Sequence, residues 1–303
     1  MRKIVLLSMV LSLFFLGCHK DGVYNPKEKI KRIYTQEQGK TKELKQEWTW
    51  EKELLTKVEY FKNNYSNGYN LFSYLDKRLM SIVTSGGAII TFNYYGRQYD
   101  FIEESDIDGR IHSKIKFTYD KNKISKTEIT LYDYDDMANW KSENDIISII
   151  EPLFPTEFKE SMDKIKSNIK NGTFTTRKIT SSFTYDGKNL KEMKSEGVDI
   201  DGSFCCYTYT YTKYDKNSNP KYHYIFGNDE NGYAIGVSSK NNPLEVKHTY
   251  RRSWGDDNQN TQTESGTTTY EYVYNGKFPT AVKTAVKNGN GTNYQYTTFY
   301  EYE

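Results

Sequence analysis

The chain has 303 residues, with 42 Lys+Arg against 40 Asp+Glu, a balance that offers no basic excess for a phosphate-binding surface and excludes the simplest nucleic-acid reading. Aromatic residues make up 16% of the chain, with 28 Tyr among them, and the 6 Pro and 20 Gly sit in a steady periodicity that excludes a collagenous or disordered polymer. Tyr, Thr, Phe and Ile fit the pleated, half-buried surface of a sheet, so the composition favours strands.

Arg2 and Lys3 precede an apolar run from Ile4 to Leu16, interrupted only by Ser8 and Ser12. The run is too short to cross a hydrocarbon core of about 30 Å and has the form of a secretory signal peptide, residues 1–17. It ends in Phe15-Leu16-Gly17-Cys18, which resembles the lipobox of bacterial lipoproteins, with Phe15 where Leu is usual. The resemblance implies diacylglycerol on the Cys18 thiol and cleavage just before it. Loss of Arg2 and Lys3 then leaves a mature chain with equal numbers of acidic and basic residues. His19 follows the anchor, not the Asp that often retains such proteins in the inner membrane, so a lipid-anchored outer-membrane location is expected, on either its periplasmic or its extracellular face. Residues 18–30, with Gly22, Asn25 and Pro26, read as a tether, and residues 31–303 as one domain.

That domain repeats a short unit: alternating aromatics, then Asp or Asn, a polar turn, and Leu, Ile or Val three or four residues apart. It appears as Trp48-Thr49-Trp50, Phe72-Ser73-Tyr74, Phe92-Asn93-Tyr94, Phe117-Thr118-Tyr119-Asp120, Phe183-Thr184-Tyr185-Asp186-Gly187 and Tyr272-Val273-Tyr274-Asn275-Gly276, with a degenerate copy around Tyr214. Residues i and i+2 of a strand share a face, so a Tyr-x-Tyr unit sets two rings on one side and Thr or Lys on the other. Asp-Gly and Asn-Gly supply the positive φ of a tight hairpin turn. The series predicts some fourteen or more antiparallel strands connected as a meander, an all-β sheet curling toward a barrel or half-barrel. Between about 135 and 172 the pattern changes: Thr156 precedes Phe158, Met162, Ile165 and Ile169 at helical spacing, and Asn171-Gly172 follows, which predicts one helical insertion. Further on, Cys205 and Cys206 are adjacent, point to opposite faces of a strand and are expected to be free thiols.

Tyr119-Asp120, Tyr185-Asp186 and Tyr214-Asp215, with Asp108-Gly109-Arg110 nearby, resemble degenerate YD repeats of bacterial wall-associated and toxin-encapsulating proteins. Together with the lipobox they resemble uncharacterised lipoproteins of Bacteroidetes whose domains are described as porin-like. The resemblance implies a large antiparallel hairpin sheet and an envelope compartment; it brings no catalytic residue.

The remaining chemistry is sparse. Asp106-Ile107-Asp108-Gly109 and Asp199-Ile200-Asp201-Gly202 resemble the start of a calcium loop, but position 12 is Phe117 or Thr210 where a Glu is required, so both read as turns. His19, His112, His223 and His248 lack metal-ligand spacing, and no metal site or cofactor is expected. Of the four Trp, Trp48, Trp50, Trp140 and Trp254, the last sits in a polar, turn-like stretch and is the candidate ligand contact. The face opposite the rings is Thr, Lys, Ser and Glu, so the sheet is expected not to span a membrane. The function expected is a lipid-anchored, non-catalytic binding or scaffold protein, its partners the membrane through Cys18 and an extracellular glycan or protein. The alternatives are a glycan-processing enzyme with an unrecognised carboxylate pair and a carrier of an apolar ligand inside the curled sheet.

Overall fold

A computed structural model describes residues 21–132, 177–198, 203–224, 239–254, 260–291 and 293–303. The strands are β1 (Ile30–Glu37), β2 (Glu43–Glu51), β3 (Leu54–Lys62), β4 (Tyr65–Leu75), β5 (Arg78–Thr84), β6 (Ile89–Tyr95), β7 (Gln98–Ser105) and β8 (Ile111–Asp120). They continue as β9 (Lys123–Leu131), β10 (Arg177–Asp186), β11 (Asn189–Val198), β12 (Phe204–Ser218), β13 (Asn241–Trp254), β14 (Asn260–Asn275), β15 (Phe278–Asn288) and β16 (Asn293–Tyr302). Each pairs antiparallel with its neighbours in sequence, and β1 pairs with β16 from Ile30↔Tyr302 to Glu37↔Tyr296. The sheet is therefore a closed barrel.

This corrects the expected fold class. The sheet is not an open or half-closed curl: an unpaired edge strand leaves a row of N–H and C=O groups without partners, and the β1–β16 seam satisfies both edges at once. No helix occurs among the described residues. The expected helical insertion, about 135–172, lies outside them.

The inner and outer faces follow the alternation. Inward rows run directly opposite one another around the wall, as in Phe92, Ile102, Ile115, Ile129 and Ile179, or Phe183, Met193, Tyr209, His248, Gly266 and Asn288. Ile30, Val58, Ile82 and Leu190 are completely buried, and one continuous apolar cluster extends from β1 to β15. The matching outward row is Phe101, Lys116, Glu128, Thr180, Glu196, Cys206, Arg251 and Thr263. A one-residue slip would exchange these two sets, which pins the register.

The repeat unit has a physical purpose. On the returning strand of each hairpin one residue is extra, opposed by none: Thr56, Met80, Asp100, Ser125, Lys191 and Thr280. Such a bulge interrupts the ladder. The carbonyl just before it is taken by the inward aromatic of the next hairpin: Tyr74 Oη donates to Leu55 at 2.8 Å, Tyr185 to Ile124 at 2.8 Å, Tyr214 to Leu190 at 2.6 Å and Tyr302 to Pro279 at 2.8 Å; Trp50 Nε1 and Tyr272 Oη donate in the same way to Ile30 and Pro243, each at 2.8 Å, beside the register shifts of β1 and β13. Tyr94 does the same with Leu79. A belt of ring-to-carbonyl bonds thus runs around the short-turn end of the barrel. Burial pushes the phenols of Tyr74, Tyr185 and Tyr214 well above their ordinary pKa, so these hydroxyls stay protonated donors. The turns differ from expectation in one detail. Gly187 and Gly276 take the first central position, with φ of 57° and 64°, while Asp186 and Asn275 still belong to the strands.

Candidate functional site

The barrel has two unlike ends. At the short-turn end lie the belt above, β1's start and the C-terminus, and two segments fold over the opening. The first is Asp21–Tyr24. The Asp21 N–H donates to Arg97 O at 3.0 Å, and the Leu79 N–H donates to Gly22 O at 2.8 Å. The Asp21 carboxylate accepts from Tyr119 Oη at 2.6 Å and from the Tyr99 N–H at 3.3 Å. Arg78 ties the corner together: Nε donates to Asp21 O at 2.9 Å, Nη1 to Gly96 O at 2.7 Å, and its guanidinium lies 3.5 Å from the centre of the Tyr94 ring. Only glycine fits at position 22, where φ is +79° and a Cβ would fall 2.2 Å from Tyr94 Oη. Of the tether expected over residues 18–30, the part from Asp21 is thus fastened to the barrel.

The second segment, Asn219–Tyr224, leaves β12. Tyr24 Oη donates to Pro220 O at 2.8 Å, and the Tyr24, Trp48 and Tyr224 rings pack together at centroid distances of 4.7–6.3 Å. Burial drives the Tyr24 and Tyr224 hydroxyls far up in pKa. Beneath them a cavity bounded by Tyr24, Phe72, Tyr99 and Tyr224 leaves about 10 Å³ for the centre of a water molecule, room for one water. Trp48 and Trp50, two of the four Trp, belong to this closure: Trp48 is buried, and Trp50 is spent on Ile30.

At the opposite end the strands finish in longer connections, apart from the two-residue β3–β4 turn at Asn63-Asn64. Trp254 is the last residue of β13, faces Asn260 of β14, and is 40% exposed. Ile107, between β7 and β8, and Val198, ending β11, are exposed at the same end, at 81% and 53%. Trp254 is the expected contact residue that this geometry leaves accessible. Cys18, His19, Trp140 and the second Asp-x-Asp-Gly stretch at Asp199 lie outside the described residues.

The wall between the ends is coated with charge. Lys57 pairs with Glu59 at 2.6 Å, Lys114 with Glu103 at 2.7 Å, Lys126 with Glu128 at 2.8 Å, Lys194 with Glu196 at 2.5 Å and Arg32 with Glu47 at 2.7 Å. Exposed pairs of this kind add ~0–1 kcal/mol each to stability. Outward apolar side chains gather on β4, where Tyr69, Leu71 and Leu75 share a face and Val83 stands opposite Leu71.

The other polar groups have structural employment. Asp106 Oδ1 accepts from the N–H groups of Asp108 at 3.0 Å and Arg110 at 2.9 Å, which is turn chemistry, as the sequence suggests. His112 Nε2 lies 3.4 Å from Asp106, and His248 meets Asn288 Oδ1 at 3.2 Å inside the barrel. Glu104, buried on β7, accepts from Ser113 Oγ at 3.1 Å. Cys205 turns inward to Tyr250, and Cys206 turns outward. Among the described residues no cluster of His, Cys, Asp and Glu is arranged to hold a metal.

No protein-family model and no curated protein matches the chain. Solved structures do. A porin-like protein from Bacteroides uniformis superposes with a TM-score of 0.51 at 12% identity, covering 94% of this chain and 100% of that one. A porin-like protein from Bacteroides vulgatus gives 0.51 at 11% identity, covering 91% and 99%. At such identities the likeness is one of fold, and the porin-like architecture implied by the repeats is the one these structures share.

Proposed function

We propose that the chain is a lipid-anchored outer-membrane protein, held by Cys18, whose barrel stands in water as a non-catalytic scaffold and presents its loop end to an extracellular glycan or protein partner. The observation that carries this reading is the polarity of the wall. A membrane barrel turns an apolar band to lipid and keeps water inside, and with sixteen strands it usually encloses an aqueous channel. Here the order is reversed: Ile, Phe, Met and Tyr face inward and are buried, while Lys–Glu pairs and Thr face out. Each Lys or Arg set against lipid at the bilayer midplane would cost about 2–4 kcal/mol.

At the short-turn end Asp21–Tyr24 and Asn219–Tyr224 lie over the opening, and the cavity beneath them has room for one water. Partner binding then falls to the loop end, where Trp254 offers an indole with a polar handle and an accessible face. The test is a glycan array and a pull-down with residues 19–303, repeated with Trp254→Ala. Selective binding lost in the variant supports the reading. Binding unchanged by the substitution removes Trp254 from the site, and turnover of any polysaccharide replaces the scaffold with an enzyme.

A further inference from the structure

The short-turn end carries two exposed side chains that its packing does not use. Tyr95, before the β6–β7 turn, is 82% exposed, and Leu75, before the β4–β5 turn, is 62% exposed. Both stand beside the place where the N-terminal segment is fastened: Leu75 pairs with Arg78, which holds Asp21 O, and Tyr95 is two residues from Arg97, which receives the Asp21 N–H. Cys18 precedes Asp21 by three positions, and three residues of fully extended chain reach only about 10–11 Å. A lipid on Cys18 therefore enters the bilayer within that distance of Asp21, which is bonded to Arg97 and Arg78 at the two turns.

We infer that the short-turn end is a membrane-docking face, seated on the lipid headgroups with Tyr95 and Leu75 inserted at the interface. This inference rests on the lipidation of Cys18 proposed above and adds a defined orientation to it. Tyr is suited to headgroup depth because its ring is apolar and its hydroxyl wet. Charge plays a small part. Lys77 and Arg97 at these turns are offset by Asp76 and by Glu53, which sits 2.5 Å from Lys77. The contact proposed for Tyr95 and Leu75 is consequently apolar at these two turns, with Lys52, Lys121, Lys188 and Lys277 standing in the other short turns. The loop end is held away from it: ten steps along β4, from Leu75 to Tyr65, amount to roughly 34 Å of strand, or about 26 Å along the axis of a barrel whose strands tilt by about 40°.

The test uses the full acylated protein in phosphatidylcholine vesicles, with Cys206→Ser to silence the outward thiol. An environment-sensitive fluorophore is attached at Tyr95→Cys, at Leu75→Cys, or at Val198→Cys as the loop-end control, and the vesicles contain a lipid that quenches at headgroup depth. Blue-shifted emission and several-fold stronger quenching at positions 95 and 75 than at 198 is the expected result. Acylated protein with equal quenching at all three positions, or with 198 quenched most, overturns the docking face alone. A dependence of the quenching on added anionic lipid overturns its apolar basis. A mass spectrum showing no acyl chain on Cys18 overturns the anchor itself, and the docking face with it.

Discussion

The Tyr74 hydroxyl donates to the Leu55 carbonyl at 2.8 Å, joining hairpins whose contact residues are 19 positions apart in sequence. The bond exists because the extra residue Thr56 takes that carbonyl out of the β2–β3 ladder, and Leu55 is 1% exposed, so water cannot replace the ring. Tyr74→Phe keeps the packing and leaves a buried acceptor unmet, at a cost of about 1–3 kcal/mol. Urea denaturation of the wild-type and variant domains checks this. A variant as stable as the wild type would show that the belt of ring-to-carbonyl bonds is ornamental.

Gly266 faces His248 across β13 and β14, and a Cβ there would meet His248 Nε2 at 2.3 Å and Lys287 O at 2.6 Å. The backbone carbonyl cannot swing away, so Gly266→Ala is expected to destabilise by about 1–3 kcal/mol through overpacking. Gly276→Ala is the contrast. Nothing lies near its Cβ, but its φ is +64°, so its cost is backbone strain at the turn, with the His248 environment untouched. The His248 imidazole resonances should shift in the first variant and stay in place in the second.

Register predicts thiol chemistry. Cys205 points inward, with Tyr250 Oη at 3.4 Å, and Cys206 points outward at intermediate exposure. In residues 19–303 one thiol should react with a maleimide under native conditions and two in denaturant. The native reaction should be slow, because burial raises the Cys206 pKa and lowers its thiolate fraction. Native labelling at Cys205 first would mean that the strand is flipped.

Two neighbouring groups contribute to the acid side of stability. Burial depresses the His112 pKa, with Asp106 acting in the opposite direction, and the Asp106 carboxyl is itself lowered, chiefly by the Arg110 N–H. A depressed folded-state pKa means that the unfolded chain binds the proton first. The His112 contribution is therefore full above the unfolded value of about 6.5 and is lost as the pH falls through the depressed folded pKa. The Asp106 contribution is lost at more acid pH in the same way. Denaturation midpoints should decline from pH 7 toward pH 5, and His112→Asn should flatten that decline. A midpoint independent of pH in this window would contradict the assignment.

Much of the barrel is legible in the sequence because its unit is local. Positions 50, 74, 94, 119, 185, 214 and 274, singled out by ring alternation before a turn, all become inward aromatics at the short-turn end. Their acceptors were invisible, because each belongs to the preceding hairpin or, for Tyr119, to Asp21. Closure was equally hidden: Ile33 and Tyr300 carry no mark that they pair, and only the completed circle brings them together. The fastening of Asp21–Tyr24 was missed since Gly22 and Pro26 suggest a loose chain, whereas Gly22 is there to let the backbone pass Tyr94. Trp254 remained accessible as expected, while Trp48 and Trp50 went to the interior.

The central claim is that the outer wall faces water. Size-exclusion chromatography with light scattering on residues 19–303, prepared without detergent and followed by addition to a planar bilayer, tests it most directly. A monodisperse protein in plain buffer that adds no conductance is the predicted result. A protein that stays in solution only with detergent, or that opens stepwise channels in the bilayer, would contradict it.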